Sequence, residues 1–408
     1  MKYGLIGEKL GHSFSKAIHE KIADYTYELK EIAKDELDSF MKEKSFCGIN
    51  VTIPYKAAVI PYLDYIDPVA EKIGAVNTIV NRDGKLYGYN TDFGGLKMLV
   101  EKSGFDYKDK KVIVLGTGGT SKTACAVAAS LGACEIVTVG RKEAVNYENL
   151  YSLHADADFI INTTPLGMYP EVNGYAVEPA DFTSLKGITD VVYNPLKTRL
   201  CQKAEEASVR CECGLYMLVC QAVLACAHFT SEELDVKKLA DEIYADILSE
   251  KQNIVLIGMP GSGKSTIGKA LSEKTGKPFV DTDDMICDEF GDISTIFSEK
   301  GEVFFRDAEA LKVKEASLMN GRIIATGGGA VLRAENIKAL KQNGIIFFLN
   351  RPLEDIIPTD DRPLSSNIEA LRKRFEERYD IYVSSAEEEI LVDGNVENSV
   401  NKILEKLR

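Results

Sequence analysis

The stretch Gly258-Met-Pro-Gly-Ser-Gly-Lys264-Ser265 follows the apolar run 254–257. A strand that delivers a glycine loop into a helix turns successive backbone N–H groups toward phosphates, while the lysine reaches the terminal phosphates and the hydroxyl takes Mg²⁺. Gly258, Gly261, Gly263, Lys264, Ser265 and Thr266 are therefore candidate contacts for a nucleoside triphosphate. Downstream, Asp281 and Asp283 stand two residues apart at the end of an expected strand, a spacing that places both on one face. One carboxylate would join Ser265 in the Mg²⁺ shell and the other would face an acceptor hydroxyl. Arg306 and the bare amides of Gly327-Gly328-Gly329 suit a carboxylate ligand.

A second glycine loop lies far upstream. Lys111 to Leu115 reads as a strand, followed by Gly116-Thr-Gly118-Gly119 and an alanine-rich helix ending near Gly132. Glycines at these positions fit the tight turn and close pyrophosphate approach of a Rossmann βα unit. At the end of the next strand, where an acidic residue would hold a ribose 2′-hydroxyl, stands Arg141. An arginine pairs with a 2′-phosphate instead, which selects NADP(H) over NAD. Three further segments concentrate short polar side chains: Ser13 and Ser15; Asn50, Thr52 and Lys56; Asn77 and Thr78 with Asn90, Thr91 and Asp92. A ligand rich in hydroxyls needs many short donors and acceptors of this kind.

Composition narrows the class. A formal net charge of −14 and the lack of a basic run argue against a nucleic-acid partner, so anionic ligands must be captured by local positive sites. No apolar run approaches membrane length. Met1-Lys-Tyr-Gly-Leu-Ile-Gly reads as a strand rather than a signal peptide, so the expected compartment is the cytoplasm, with no membrane partner. Nine cysteines, an odd number scattered through apparent helices and strands, fit reduced thiols. Among them Cys211, Cys213, Cys220 and Cys226 read as core packing. The sequence is silent on oligomeric state.

The ordered blocks Ser13-Phe-Ser15, Asn50-Val-Thr52-Ile-Pro-Tyr-Lys56, Ala-Val-Asn77-Thr, Asn90-Thr-Asp92, Asn162-Thr-Thr-Pro-Leu-Gly, Tyr193-Asn-Pro-Leu-Lys-Thr and Gly214-Leu-Tyr-Met-Leu-Val-Cys-Gln221 resemble shikimate dehydrogenase from residue 2 to about 248. The resemblance implies that Ser13, Ser15, Thr52, Asn77, Tyr193 and Gln221 contact the substrate, and that Lys56 and Asp92 are the catalytic pair. Gly116, Gly118, Gly119 and Arg141 would hold NADP(H). Where the family often carries Asn-Arg-Thr at the 2′-phosphate clamp, this chain has Gly140-Arg141-Lys142.

Residues 253–408 resemble shikimate kinase through the phosphate loop, Asp281-Thr-Asp283, Gly301-Glu-Val-Phe-Phe-Arg306-Asp-Ala-Glu309, Thr-Gly-Gly-Gly, Asp-Arg362-Pro-Leu and Arg378-Tyr-Asp-Ile-Tyr382. That resemblance implies ATP as the nucleotide. It assigns Asp283, Arg306, Gly328 and Arg378 to shikimate, Lys264 and Arg362 to phosphates, and Ser265 with Asp281 to Mg²⁺; Glu309 would orient Arg306. Catalysis would rest on Asp283 and Lys264. Together the two resemblances imply consecutive steps, reduction of 3-dehydroshikimate to shikimate and phosphorylation of shikimate at O3. Two alternatives remain open: a non-catalytic pathway regulator built from the same modules, and a broader quinate/shikimate dehydrogenase fused to the kinase.

The elements that must position these groups define an α/β protein. The phosphate loop opens at residue 258 of 408, and at about 100–200 residues per domain two or three domains are expected. We expect a substrate-binding domain over 1–92 completed by 214–250, a Rossmann NADP domain over 93–213, and a parallel-sheet kinase domain of the nucleoside-monophosphate-kinase type over 252–408.

Overall fold

A computed structural model describes residues 1–11, 13–356 and 368–407. The sequence-predicted phosphate ligand Arg362 lies outside the described residues, as does His12. The chain divides into two compact units, Met1–Ile247 and Leu248–Arg408.

The first unit holds two sheets. Strands β1 (Tyr3–Gly7), β2 (Tyr27–Glu31), β3 (Gly48–Val51), β4 (Tyr65–Ile66), β5 (Thr78–Arg82) and β6 (Lys85–Tyr89) form a mixed sheet in the order β2-β1-β3-β5-β6-β4. Its β5–β6 hairpin and the β3–β5 pair are antiparallel and the rest parallel. Strands β7 (Lys111–Leu115), β8 (Glu135–Val139), β9 (Phe159–Asn162), β10 (Gly187–Asp190) and β11 (Arg210–Cys213) form an all-parallel sheet ordered β11-β10-β9-β7-β8. Parallel strands are covered on both faces, which is why 112–115 is an unbroken apolar run; Val112, Ile113, Val114 and Leu115 are fully buried. In open sheets of this kind ligands bind beyond the carboxyl ends of the strands, where the strand order reverses. Here that point is the end of β7, and Gly116 stands at it.

Two helices tie these sheets together. Thr91–Ser103 packs along Leu215–Thr230. The approach is close because Gly95 has no side chain: a Cβ there would lie 2.7 Å from the Met217 carbonyl oxygen and 3.1 Å from Gln221 Cβ. Leu96, Leu99, Val100, Val219, Ala222 and Val223 are buried on these two helices, each larger side chain contributing about 1.5–3 kcal/mol of burial.

The second unit is one parallel sheet, β12 (Asn253–Ile257), β13 (Phe279–Asp281), β14 (Ile323–Ala325), β15 (Gly344–Asn350) and β16 (Glu388–Leu391), ordered β13-β14-β12-β15-β16. Apolar clusters cover both faces, one around Val255, Ile257, Ile324 and Phe348, the other around Leu256, Ile267, Leu271 and Phe347.

Two expectations need correction. Cys201 and Cys211 are joined by a disulfide, so not all thiols are reduced. Residues two apart on a strand share a face, and β11 presents both Cys211 and Cys213 to the helix Arg199–Glu206, where Cys201 stands 3.2 Å from the Cys213 sulfur. Cys220 and Cys226 are buried in a helix, as core residues. Asp281 and Asp283 do not share a strand face either: Asp281 ends β13 and caps the helix Thr282–Phe290, its side chain accepting the Asp283 N–H, which puts Asp283 in the first helical turn.

Candidate active sites

In the first unit the turn after β3 carries Lys56, and the helix Thr91–Ser103 opens on Asp92. Asn90 caps that helix by accepting the Phe93 N–H. A carboxylate in the first turn is favoured by the helix dipole. Lys56 Nζ donates to Asp92 Oδ2 at 2.6 Å, with both side chains at most 15% exposed. Backbone bonds register the flanking strands: Val76 N–H donates to Lys56 O at 2.8 Å and Val51 N–H to Asn77 O at 2.8 Å. These fix Thr52, Lys56 and Asn77 beside one another.

A chain of buried hydrogen bonds stands behind this pair. Tyr27 OH donates to Asn50 Oδ1, Asn50 Nδ2 to Thr78 Oγ1, and Thr78 and Thr91 hydroxyls share a 2.9 Å bond. Asn77 Oδ1 accepts the Thr91 N–H at 2.7 Å. Each short side chain is thus locked by its neighbours. Ser15 opens the helix Ser15–Ile22, and its N–H donates to Ser13 Oγ. The Tyr193 ring lies 5.3 Å from Phe14, and burial pushes its phenol upward while Ser13 and the Phe14 backbone act in the opposite direction. Gln221 is buried on the helix that Gly95 admits, its amide donating to Leu218 O.

The glycine loop reaches the same place. Gly118 caps the helix Gly119–Ser130, and a Cβ on Gly119 would sit 3.8 Å from Lys56 Cδ. Ser121 Oγ ties the loop by donating to Gly116 O. Thr117 packs against Gly140, so the exposed Arg141 neighbours the loop. An open groove of about 710 Å³ runs beside it, lined by Thr117, Ser121, Thr138 and Glu143 among others, and its lining does not include Lys56 or Asp92.

In the second unit one pocket of about 600 Å³ gathers Gly261, Gly263, Lys264, Ser265, Thr266, Asp281, Asp283, Arg306, Gly328 and Arg378. Gly258, at φ +147°, turns the chain out of β12, and Gly263, at φ +96°, caps the helix Lys264–Thr275. Lys264 Nζ donates to the Gly258 and Met259 carbonyls at 2.9 Å, which holds the ammonium over the loop. Ser265 Oγ donates to Asp281 Oδ2 at 2.7 Å. This hydroxyl and carboxylate are hard oxygen donors. Among the described residues no cluster of three His, Cys, Asp or Glu side chains that could hold a metal exists.

The opposite wall is made by the triple glycine after β14. A Cβ on Gly327 would meet Asp283 Oδ1 at 2.7 Å and Glu309 Oε1 at 2.8 Å; one on Gly328 would meet Pro260 at 2.6 Å; one on Gly329 would strike the Arg306 guanidinium. Bare backbone is the only surface that lets these groups converge. Arg306 donates to Glu309 at 2.7 Å and to the exposed Glu302 at 3.3 Å. Burial works against the charge on both Arg306 and Glu309. The two carboxylates still raise the arginine, whereas burial outweighs Arg306 at Glu309 and pushes that carboxyl up. Arg378 and Tyr382 both donate to Gly328 O, clamping the turn to the helix Ile368–Ser385.

The pocket also includes Arg351, Arg374, Phe297 and Phe305, which sequence reasoning missed. Arg374 was legible in one respect: it precedes Arg378 by four residues and so shares its helix face.

The first unit is a Rossmann oxidoreductase carrying a lysine–aspartate pair, and the second a P-loop phosphotransferase. Residues 5–79 match the family model of the shikimate dehydrogenase substrate binding domain, and residues 260–408 match that of shikimate kinase. The chain is 38% identical to shikimate dehydrogenase (NADP(+)) of Clostridium perfringens, over 60% of this chain and 97% of that protein. Among solved structures it is similar to shikimate dehydrogenase 1 of Peptoclostridium difficile, at TM-score 0.57 and 35% identity, covering 60% of this chain and 98% of that one. It is also similar to the Thermus thermophilus shikimate 5-dehydrogenase in complex with NADP(H) and shikimate, at TM-score 0.53 and 25% identity, covering 60% and 98%. The chain belongs to the shikimate dehydrogenase family and carries a shikimate kinase domain fused at its C-terminal side.

Proposed function

We propose that this chain catalyses two consecutive steps: NADPH-dependent reduction of 3-dehydroshikimate to shikimate, then ATP-dependent phosphorylation of shikimate at O3. For the first step the supporting observation is the 2.6 Å Lys56–Asp92 pair within van der Waals reach of the position a Gly119 side chain would take. NADPH supplies the hydride. Lys56 presents an ammonium N–H to the carbonyl oxygen as it gains charge, and Asp92 fixes its direction. Ser13, Ser15, Thr52, Asn77, Tyr193 and Gln221 bind the acid's carboxylate and hydroxyls, and Arg141 takes the 2′-phosphate.

For the second step the supporting observation is one pocket that spans Lys264 and Ser265 at one end and Asp283, Arg306 and Arg378 at the other. Asp283 aligns the acceptor hydroxyl and takes its proton, Arg306 and Arg378 grip the carboxylate, and Lys264 neutralises charge on the transferring phosphoryl group. Ser265 and Asp281 would hold Mg²⁺ and its waters.

Residues 1–92 with 214–250 form the substrate part of the reductase in this reading, 93–213 its cofactor part, and 252–408 the kinase. Its partners are small acids and nucleotides. Among the described residues no helix is long and apolar enough to cross a membrane, and we place the enzyme in the cytoplasm, where NADPH and ATP are supplied. The test is a pair of assays on the purified chain. NADPH should be consumed on addition of 3-dehydroshikimate, and ADP should appear only when shikimate joins ATP and Mg²⁺. Neither activity would make the chain a regulator. Quinate oxidised as fast as shikimate would broaden the first step.

A further inference from the structure

The helix Ile368–Ser385 sends two arginines into the kinase pocket, Arg374 and Arg378, one turn apart on one face. Arg306 enters from the helix Gly301–Ser317 across the triple glycine. A planar carboxylate is satisfied by one or two guanidiniums, and the two assigned to it above are Arg306 and Arg378. We propose that Arg374 is a third carboxylate-binding residue of the kinase, one that makes the site selective for an anionic acid over an uncharged polyol or ester. The inference rests on the phosphotransferase reading of this pocket and deepens it.

Geometry and charge both support it. Arg378 is buried and anchored to Gly328 O, while Arg306 is anchored to Glu309, so both are fixed before ligand arrives. Arg374 is half-buried on the same wall. Burial holds its guanidinium below the ordinary value, and the positive charges of Arg378 and Arg306 add to the effect. Glu302 and Glu377 act in the opposite direction, but both are exposed, and water and salt screen them. Arg306 is balanced by Glu309 and Glu302, so the repulsion Arg374 meets comes chiefly from Arg378, one turn along the same helix. A ligand carboxylate placed between Arg374 and Arg378 turns that repulsion into attraction, whereas a neutral analogue of the same shape does not.

The experiment measures steady-state kinase kinetics of the full chain, wild type against Arg374→Gln and Arg374→Lys, with shikimate and with its methyl ester as acceptors. Arg374→Gln should raise the KM for shikimate about tenfold, as expected when one charge-assisted hydrogen bond is removed from a half-buried site. The KM for ATP should stay unchanged and the preference for the acid over the ester should shrink by the same factor. Arg374→Lys should recover part of both. Reductase activity of the same preparations reports the amount of folded chain. An unchanged KM for shikimate overturns the proposal. So does an increase confined to ATP, which would place Arg374 on the nucleotide, or an equal loss toward acid and ester, which would make its role structural. A wild-type chain that phosphorylates no shikimate would instead sink the kinase reading itself.

Discussion

The reductase site and the kinase site bind closely related acids with opposite materials. In the reductase, short side chains do the positioning: Asn50, Asn77, Thr78 and Thr91 are buried and bonded to one another, and they carry the Lys56–Asp92 pair on their rim. In the kinase, backbone and long side chains do it. The triple glycine yields space, and Arg306 and Arg378 fill it from two helices. A buried network of short polar groups ties chemistry to fold stability, because any unpaired member carries a desolvation cost. An arginine leaning over glycine can be displaced with no backbone movement, the cost being a buried Glu309 left without its partner.

The largest expected effects test whether the two materials serve independent chemistries. Lys56→Ala should lower reductase turnover by about 10²–10⁴-fold and leave the kinase near wild type. Lys264→Ala should cost the kinase about 10²-fold or more and spare the reductase. Separate assays on each variant decide it, and parallel loss of both activities would break the comparison at its root.

Next comes a matched pair of glycine substitutions. In Gly329→Ala the atoms nearest the new methyl are those of the Arg306 guanidinium tip. The fold should survive, the guanidinium should swing aside and the buried Glu309, already pushed up by burial, should take up a proton, lowering shikimate phosphorylation by about 10–100-fold with a smaller melting shift than a backbone clash produces. In Gly95→Ala the methyl meets the Met217 carbonyl, which is backbone. That change should destabilise the reductase unit by about 1–3 kcal/mol, read as an earlier melting transition. Equal melting shifts in both variants would show that the contrast between the sites is superficial.

A smaller effect is expected at Arg141, which is exposed and makes no ion pair among the described residues. Arg141→Asp should shift the NADPH/NADH preference toward NADH by about 10–100-fold, because the 2′-phosphate loses a charge-assisted partner while the ribose 2′-hydroxyl acquires an acceptor. An unchanged ratio would move the clamp to Lys142 or Lys122.

These residues also show what was legible beforehand. Both glycine loops, the strands feeding them and the three-sheet α/β plan follow from local signals: apolar runs, glycine spacing and the position of Arg141. The Asp281–Asp283 face did not, because a strand of three residues gave way to a helix whose cap is Asp281 itself. The Cys201–Cys211 disulfide depended on a helix lying across β11, a tertiary fact that parity of cysteines does not encode. Arg374 was hidden among the charges of an eighteen-residue helix, where only the pocket distinguishes it from a solvated arginine. The roles of Tyr193 and Gln221 came from resemblance, and what the structure adds is their surroundings, Phe14 for one and the close approach of Gly95 for the other.

The smallest expected effect concerns the far end of the reductase's polar chain. His19 is fully buried, stacks on Tyr27 at 3.9 Å and shares a 2.7 Å hydrogen bond between Nδ1 and Tyr25 OH. Burial holds its imidazole down to about 3, against an ordinary 6.5. Between those values the unfolded chain takes up a proton that the folded unit refuses. The neutral ring's contribution is therefore complete above pH 6.5 and is lost as pH falls toward 3, amounting to about 2 kcal/mol by pH 5. Asp190 has the opposite sign: burial raises it from 3.8 to about 6, so its contribution is complete below 3.8 and lost as pH rises through 6. The two slopes partly cancel in the wild type, which is why the measurement must be a difference. His19→Phe keeps the stack on Tyr27 and removes the titration while leaving Asp190 in place. Relative to wild type, the variant's reductase transition should gain about 4–8 °C between pH 7.5 and pH 5, with the kinase transition unmoved. Curves that stay parallel across that range would mean that His19 is protonated in the folded unit, and that the polar chain behind the reductase site is open to water.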